Sequence, residues 1–549
     1  MGGARALGQR PRRAPARRLA CVWPHEVSPV IRWVAVSLLL ALTVSGCGPA
    51  TSATPADPAV VATTNGPVRG AVGAGFRIFQ GIPYAAAPTG ELRWRPPVAP
   101  VPWRSVRDAV APGLRCIQDV RVDPDFGRPT SEDCLNLTVW TPAGAEPKSP
   151  RPVMVWIHGG GFLNGSSDIY NSRWLATRGD LVVVTVNYRL GALGFLAHPA
   201  LADGAEPGNY GLADQQAALR WVRKNIAAFG GDPAKVTIVG ESAGAMSVCD
   251  HLVSPESHGL FRAAIMQSGP CQAQASLPAA ERISVDYAAR AGCAELASAA
   301  RCLRALPADR LTGGPAYFRI GANKLSGPVT GTQRLPAAPP TAAARGATAR
   351  VPVLIGNTAD EFTLFVALTY LRDKGLAPYR TLLTDTFGSQ APAVAARYPL
   401  SRYDGSEGLA YAAAVTDGVF ACPIDTLAAE LARRVPVYAY EFNDRHAPAP
   451  DPLRRTPFAP GAGHALELRY LFDMGGAPPL DAAQRALSEE MIAYWSRFVA
   501  TGAPDVPGEL EWPRLDPERP ERMSLQTGRS VITADFADRH QCGFWDSLG

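Results

Sequence analysis

The sequence is poor in histidine, in long apolar runs and in sustained basic stretches, and each shortage excludes something. Eight histidines serve 549 residues, and none stands with cysteine or a second histidine at metal-ligand spacing. Neither a metal nor an organic cofactor is therefore expected. The apolar run Trp33–Val44 is only twelve residues long, short of the roughly 20 that a bilayer-spanning helix requires. No internal repeat occurs, so a solenoid or propeller is not expected. The formal charge is +5, but residues 1–46 hold seven arginines and one acid, so the remaining chain is −1 (47 basic against 48 acidic residues). No concentrated basic face remains for nucleic acid. What is abundant is ordinary for a folded protein: 47% hydrophobic residues, with 52 Gly and 51 Pro that imply long loops.

The amino terminus is basic, then apolar, then small, the order of an export signal. It ends in Val44-Ser45-Gly46-Cys47, which resembles the lipobox of bacterial lipoproteins, where the cysteine receives lipid. A plain signal-peptidase site nearby is the alternative. The expected organisation is a lipoprotein-type signal peptide over 1–46, lipidation at Cys47, a Pro/Ala-rich tether over 47–60 and one domain over 61–549. Membrane contact is then by the lipid anchor alone, and the protein is a cell-envelope lipoprotein or is secreted. Setting Cys21 and Cys47 aside leaves eight cysteines, an even number that suits an oxidising compartment.

Strand and helix signals alternate, which indicates an α/β sheet. Val153–Ile157, Leu181–Val186, Val236–Val239, Ala263–Met266, Val351–Ile355 and Val437–Phe442 are apolar runs of strand length. Runs of this kind suit strands covered by helices on both faces. Leu212, Leu219, Val222, Ile226 and Phe229 share one helical face, and Gly230-Gly231 stop that helix. Chemistry is expected just beyond the carboxyl ends of the strands.

Three segments meet that condition with reactive groups. Val236–Val239 runs into Gly240-Glu241-Ser242-Ala243-Gly244, a G-x-S-x-G turn that holds a serine on a strained strand-to-helix corner. Ile157 is followed by His158-Gly159-Gly160-Gly161, a glycine motif whose backbone N–H groups suit an oxyanion. Asp360 and Glu361 both follow the Val351–Ile355 strand, and the residues alone barely separate them as the acid. A serine needs a base, and chain order selects His464 in Gly463-His464-Ala465-Leu466-Glu467. His198, His251, His258, His446 and His540 have no second chemical group beside them in sequence.

Further motifs carry a family resemblance: Phe79-Gln80-Gly81-Ile82-Pro83-Tyr84, Arg93-Trp94-Arg95-Pro96-Pro97 and Ser131-Glu132-Asp133-Cys134-Leu135-Asn136. With the serine and histidine segments, these make Val61–Asp546 resemble the type-B carboxylesterases, a group that includes cholinesterases and fungal lipases. The resemblance implies an α/β-hydrolase fold, a Ser242–Glu361–His464 triad, an oxyanion hole from Gly160, Gly161 and Ala243, and hydrolysis of a small-molecule ester through an acyl-enzyme. It also implies disulfides Cys116–Cys134, Cys293–Cys302 and Cys422–Cys542, with Cys249 and Cys271 bridged or free. Arg93 with Glu132 and Arg189 with Asp214 resemble internal ion pairs, and Ser268 a partner of the acid. Residues 117–133 lack the tryptophan that grips choline in cholinesterases; Phe126 is the aromatic residue there. Choline esters are therefore not expected substrates. The rival is a non-catalytic surface binder on the same fold, which an intact triad disfavours and a fluorophosphonate probe would fail to label.

Overall fold

Strands apolar at every position become the middle of a large mixed sheet. The computed structural model describes residues 57, 59–119, 128–202, 206–321 and 323–548. The expected signal peptide, Cys47, most of the tether and Phe126 lie outside the described residues. The first strand, Val60–Thr63, starts one residue ahead of the expected domain boundary and pairs in a small separate sheet.

In chain order the eleven strands of the large sheet are β1 (Ala71–Gly73), β2 (Phe76–Pro83), β3 (Asn136–Pro142), β4 (Arg151–Ile157), β5 (Val182–Val186), β6 (Gly231–Glu241), β7 (Ala263–Gln267), β8 (Val353–Thr358), β9 (Val437–Phe442), β10 (Arg522–Leu525) and β11 (Val531–Thr533). Their spatial order is 11-10-9-8-7-6-4-5-3-2-1. From β10 across to β5 every pair is parallel. The two margins are antiparallel.

Alternating side chains supply a core on each face. Val153, Val155 and Ile157 of β4 join one core, and Met154 and Trp156 join the other. Helix α1 (Tyr210–Asn225) and helix α2 (Ala243–Val253) pack on the first face. The second face is covered by helix α6 (Ala482–Thr501), through Leu487, Met491, Tyr494, Trp495 and Phe498. Helix α1 continues as a 3₁₀ turn and ends at Gly230, whose left-handed φ of 84° is the glycine stop expected from sequence.

The insertion between β8 and β9 is helical. It contains α3 (Thr363–Asp373) and a helical run, Glu407–Ala432, made of α4 (Glu407–Val415), a π-helical turn (Thr416–Ala421) and α5 (Cys422–Ala432). This run is long and apolar enough to cross a membrane by composition, but most of it is buried in the fold. The structure pairs Cys116 with Cys134, Cys293 with Cys302, Cys422 with Cys542 and Cys249 with Cys271.

Candidate active site

Ser242 stands between β6 and α2 with φ 56° and ψ −125°. A non-glycine residue held there stores strain, which the packing around it must sustain. Its N–H donates to the Gln267 carbonyl at 2.9 Å. The glycines on either side leave no alternative. A Cβ on Gly240 would run into the Gly244 backbone, and one on Gly244 would run into the Ile157 carbonyl. A Cβ on Gly159 would lie 2.8 Å from the Glu241 side chain and 3.0 Å from Ser242 Cβ. The glycine motif after β4 and the serine turn after β6 therefore meet at one spot.

Gly160 and Gly161 take φ values of 105° and 63°, open to glycine and strained for other residues. Ala243 is the first residue of α2, where N–H groups lack an intrahelical acceptor and the helix dipole is positive. His158 is buried; its Nδ1 lies 2.8 Å from the Gly159 carbonyl and its ring stacks on Tyr188 at 4.4 Å. Burial pushes its pKa down to about 4. It is a neutral brace for the glycine loop.

The structure separates the two candidate acids. Asp360 accepts from the Ala462 N–H and from Arg445 Nε, each at 2.9 Å, and so ties down the loop that carries the histidine. Glu361 is fully buried; Oε1 accepts from the Thr358 N–H at 2.8 Å and Oε2 meets His464 Nδ1 at 2.5 Å. The His464 N–H also donates to the Glu361 carbonyl at 3.2 Å. Rings of Phe365 and Phe420 flank the imidazole at 5.0 and 5.5 Å.

Glu361 and His464 are thus brought together, whereas Ser242 and His464 are not joined by a hydrogen bond. His464 Nε2 carries none; the oxygen facing it is Oε1 of Glu241, 3.0 Å away and outside hydrogen-bond geometry. Ser268 departs from its expected place as a partner of the acid. It has φ 54°, and its buried Oγ makes no hydrogen bond.

From the sequence Glu241 is a residue that tunes the pocket without being essential; what sequence reasoning missed is Glu467 and the charge cluster the two acids form. Glu241 and Glu467 are both buried beside His464. Burial, and then repulsion among the carboxylates, raises Glu241 to about 7 and Glu467 to about 8. Burial alone would lower His464, but Glu241, Glu361 and Glu467 together outweigh it and raise the ring to about 9. These groups share protons, so the firm direction is upward for all three: the pocket cannot hold every carboxylate ionised. The signal available in sequence was position, since Glu241 adjoins the serine and Glu467 follows the histidine by three residues.

A strained serine at a strand–helix corner, a glycine loop against it and an imidazole held by a buried acid define an α/β-hydrolase site. The chain belongs to the carboxylesterase family, whose model matches residues 57–545. It is 35% identical to a fumonisin B1 esterase of Sphingopyxis macrogoltabida over 92% of both chains. It is 34% identical to an acylcarnitine hydrolase of Rattus norvegicus, over 89% of this chain and 91% of that one. Among solved structures a thermophilic PNB esterase superposes with a TM-score of 0.75 at 31% identity, covering 88% of this chain and all of the other. The protein is accordingly a carboxylic ester hydrolase with the α/β-hydrolase fold.

Proposed function

We propose that the protein is an exported serine esterase acting through an acyl-enzyme. Ser242 attacks the ester carbonyl. His464 takes the serine proton at Nε2, which no hydrogen bond occupies, and delivers it to the leaving alcohol. Glu361 fixes the imidazole at Nδ1 and stabilises its charged form. The N–H groups of Gly160, Gly161 and Ala243 receive the oxyanion; one such donor is worth about 3–4 kcal/mol in the transition state. Water then cleaves the acyl-enzyme by the same route. The observation that carries this reading is the pairing of a strained Ser242, crowded by glycines that tolerate no Cβ, with a buried Glu361–His464 contact.

Phe365 and Phe420 beside the imidazole, and Leu325 against Gly161, favour esters with an apolar group at the reacting carbonyl. Choline esters are disfavoured, because the Cys116–Cys134 loop offers no tryptophan face. Four cysteine pairs favour an oxidising destination. A lipid at Cys47, with residues 47–60 as tether, would hold the catalytic domain at the cell envelope. Ser242→Ala in the purified protein is expected to abolish turnover of a p-nitrophenyl ester. Retention of more than a few per cent of the activity would refute the assignment.

A further inference from the structure

A second buried histidine lies between two carboxylates outside the site described above. His540 follows the short helix α7 (Phe536–Arg539) and precedes α8 (Cys542–Leu548). Its Nδ1 is 2.6 Å from Asp417 Oδ1, and its Nε2 is 2.6 Å from Glu441 Oε1. Ionised carboxylates only accept hydrogen bonds, so a ring held by two of them carries a proton on each nitrogen. Burial opposes that charge, yet the two hydrogen bonds and the two acids outweigh it and lift the ring to about 9. At Asp417 burial prevails and raises the carboxyl, whereas at Glu441 His540 and Arg539 overcome burial and hold it down at about 2.

The other polar groups facing this bridge are all engaged. Tyr398 donates to Asp417 Oδ2 at 2.7 Å and itself accepts from Trp545 Nε1 at 2.8 Å. Arg539 donates to Glu441 Oε2 at 2.6 Å and reaches back to Asp535. On the far side Phe536 lies 4.5 Å from the His540 ring, with the Arg522 guanidinium over it, paired in turn with Asp425.

Asp417 belongs to the π-helical turn, and that turn reaches the active site with its other residues. Thr416 Oγ1 accepts from the N–H of Phe362, the residue after Glu361, at 2.9 Å. Phe420 packs edge-on against His464 at 5.5 Å and stacks on Phe365 at 6.4 Å. Behind the turn is a cavity of about 460 Å³ lined in part by Gly418, Val419, Cys422 and Trp545. The turn is therefore not backed by close-packed side chains along that side. Tyr398 and Gln272 each give it one hydrogen bond, and the segment around His540 grips it at several points. The Asp417 contact is one hold; the Trp545 ring, which would lie 2.6 Å from a Cβ on Gly418, is the second; and the Cys422–Cys542 bond is the third. Single π turns in longer helices recur at functional sites.

We propose that His540 is a positioning residue for the imidazole of His464: by bridging Asp417 and Glu441 it fixes the π-helical turn, and the turn's Phe420 sets the seat of the ring. The inference rests on His464 being the base in the reading above. Loss of the His540 proton removes a donor from the bridge, loosens the turn and misplaces the imidazole. The consequence falls mainly on kcat, because the ester does not touch His540 and the group displaced is the proton acceptor.

The test measures kcat and KM for p-nitrophenyl acetate against pH in the full-length wild type, His540→Gln and His540→Arg, with a thermal melt of each. His464 titrates over the same range, so the alkaline limb of the wild type is read against His540→Arg: the ratio of their kcat values is expected to fall as pH rises through about 9, with KM little changed. His540→Gln is expected to lose roughly tenfold or more in kcat at neutral pH, the scale on which small misplacements act, and to lack that alkaline limb. His540→Arg, which stays charged throughout, is expected to recover most of kcat and to carry the plateau past the wild-type limb. A ratio of wild-type to His540→Arg kcat that stays flat through this range overturns the proposal. So does a His540→Gln protein that melts earlier but keeps the wild-type kcat and pH profile. Should His540→Gln fail to fold, an alkaline limb shared by the wild type and His540→Arg would overturn it equally. The outcomes separate from those for the triad: if Ser242→Ala is dead while the His540 variants behave as wild type, only this inference fails.

Discussion

His464 has Glu361 at Nδ1 and Glu241 near Nε2, with Glu467 acting through space. The ordinary expectation for a histidine base is an acid limb near pH 6–7. The neighbouring carboxylates shift that limb. They favour the protonated ring, and on the mechanism proposed above a protonated ring cannot accept the serine proton, so kcat/KM should decline with falling pH from a point above the usual histidine range. Glu241→Gln removes the largest of the stabilising charges. We expect it to move the acid limb downward by about one unit, measured in the pH profile of kcat/KM. An unmoved limb would mean that Glu241 is already neutral when the enzyme works.

Among the elements, the corner between β6 and α2 is the least forgiving. Gly244→Ala places a methyl group on the Ile157 carbonyl, and β4 is central to the sheet and cannot retreat. The expected outcome is loss of activity together with a large fall in melting temperature or in soluble yield; an active, stable protein would show that the corner can shift. These central elements were legible in the sequence because a strand buried on both faces must be apolar throughout. Val153–Ile157, Ala263–Met266 and Val437–Phe442 read as strands, and they are strands to within a few residues. The margins were not legible. Phe76–Pro83 contains Gly81 and a register shift between Phe79 and Ile82, and it read as a motif rather than as β2. The π turn at Thr416–Ala421 has no compositional mark, since it changes only how the backbone bonds. His540 appeared isolated because its partners, Asp417 and Glu441, lie 123 and 99 residues away. Asp360 and Glu361 were barely separable from the residues alone, and only the family resemblance pointed to Glu361, because adjacent residues point in different directions only once the turn is formed.

At the scale of the molecule, a few charges are paired inside the fold. Arg189 forms a two-bond pair with buried Asp214, and Arg93 a similar pair with Glu132. Removing one partner of such a pair typically costs about 3–5 kcal/mol. His540 adds a pH dependence to the stability of the whole fold. Its folded pKa, about 9, lies above the ordinary 6.5, so the folded state binds the proton more tightly than the unfolded chain. That contribution is fully present below about 6.5 and is lost as pH rises through about 9. The melting temperature should accordingly fall across this window in the wild type, and fall less in His540→Arg. Equal slopes in the two proteins would place the titrating group elsewhere.

The crowding at Gly159, Gly240 and Gly244 has a practical side. Diversity introduced at those three positions would be wasted in any screen for new substrates, because an added atom there meets backbone, Glu241 or Ser242. Leu325 and Phe365 are side chains beside the same chemistry. A focused library at those two sites, with the glycines left untouched, would sample substrate scope while keeping the reaction intact.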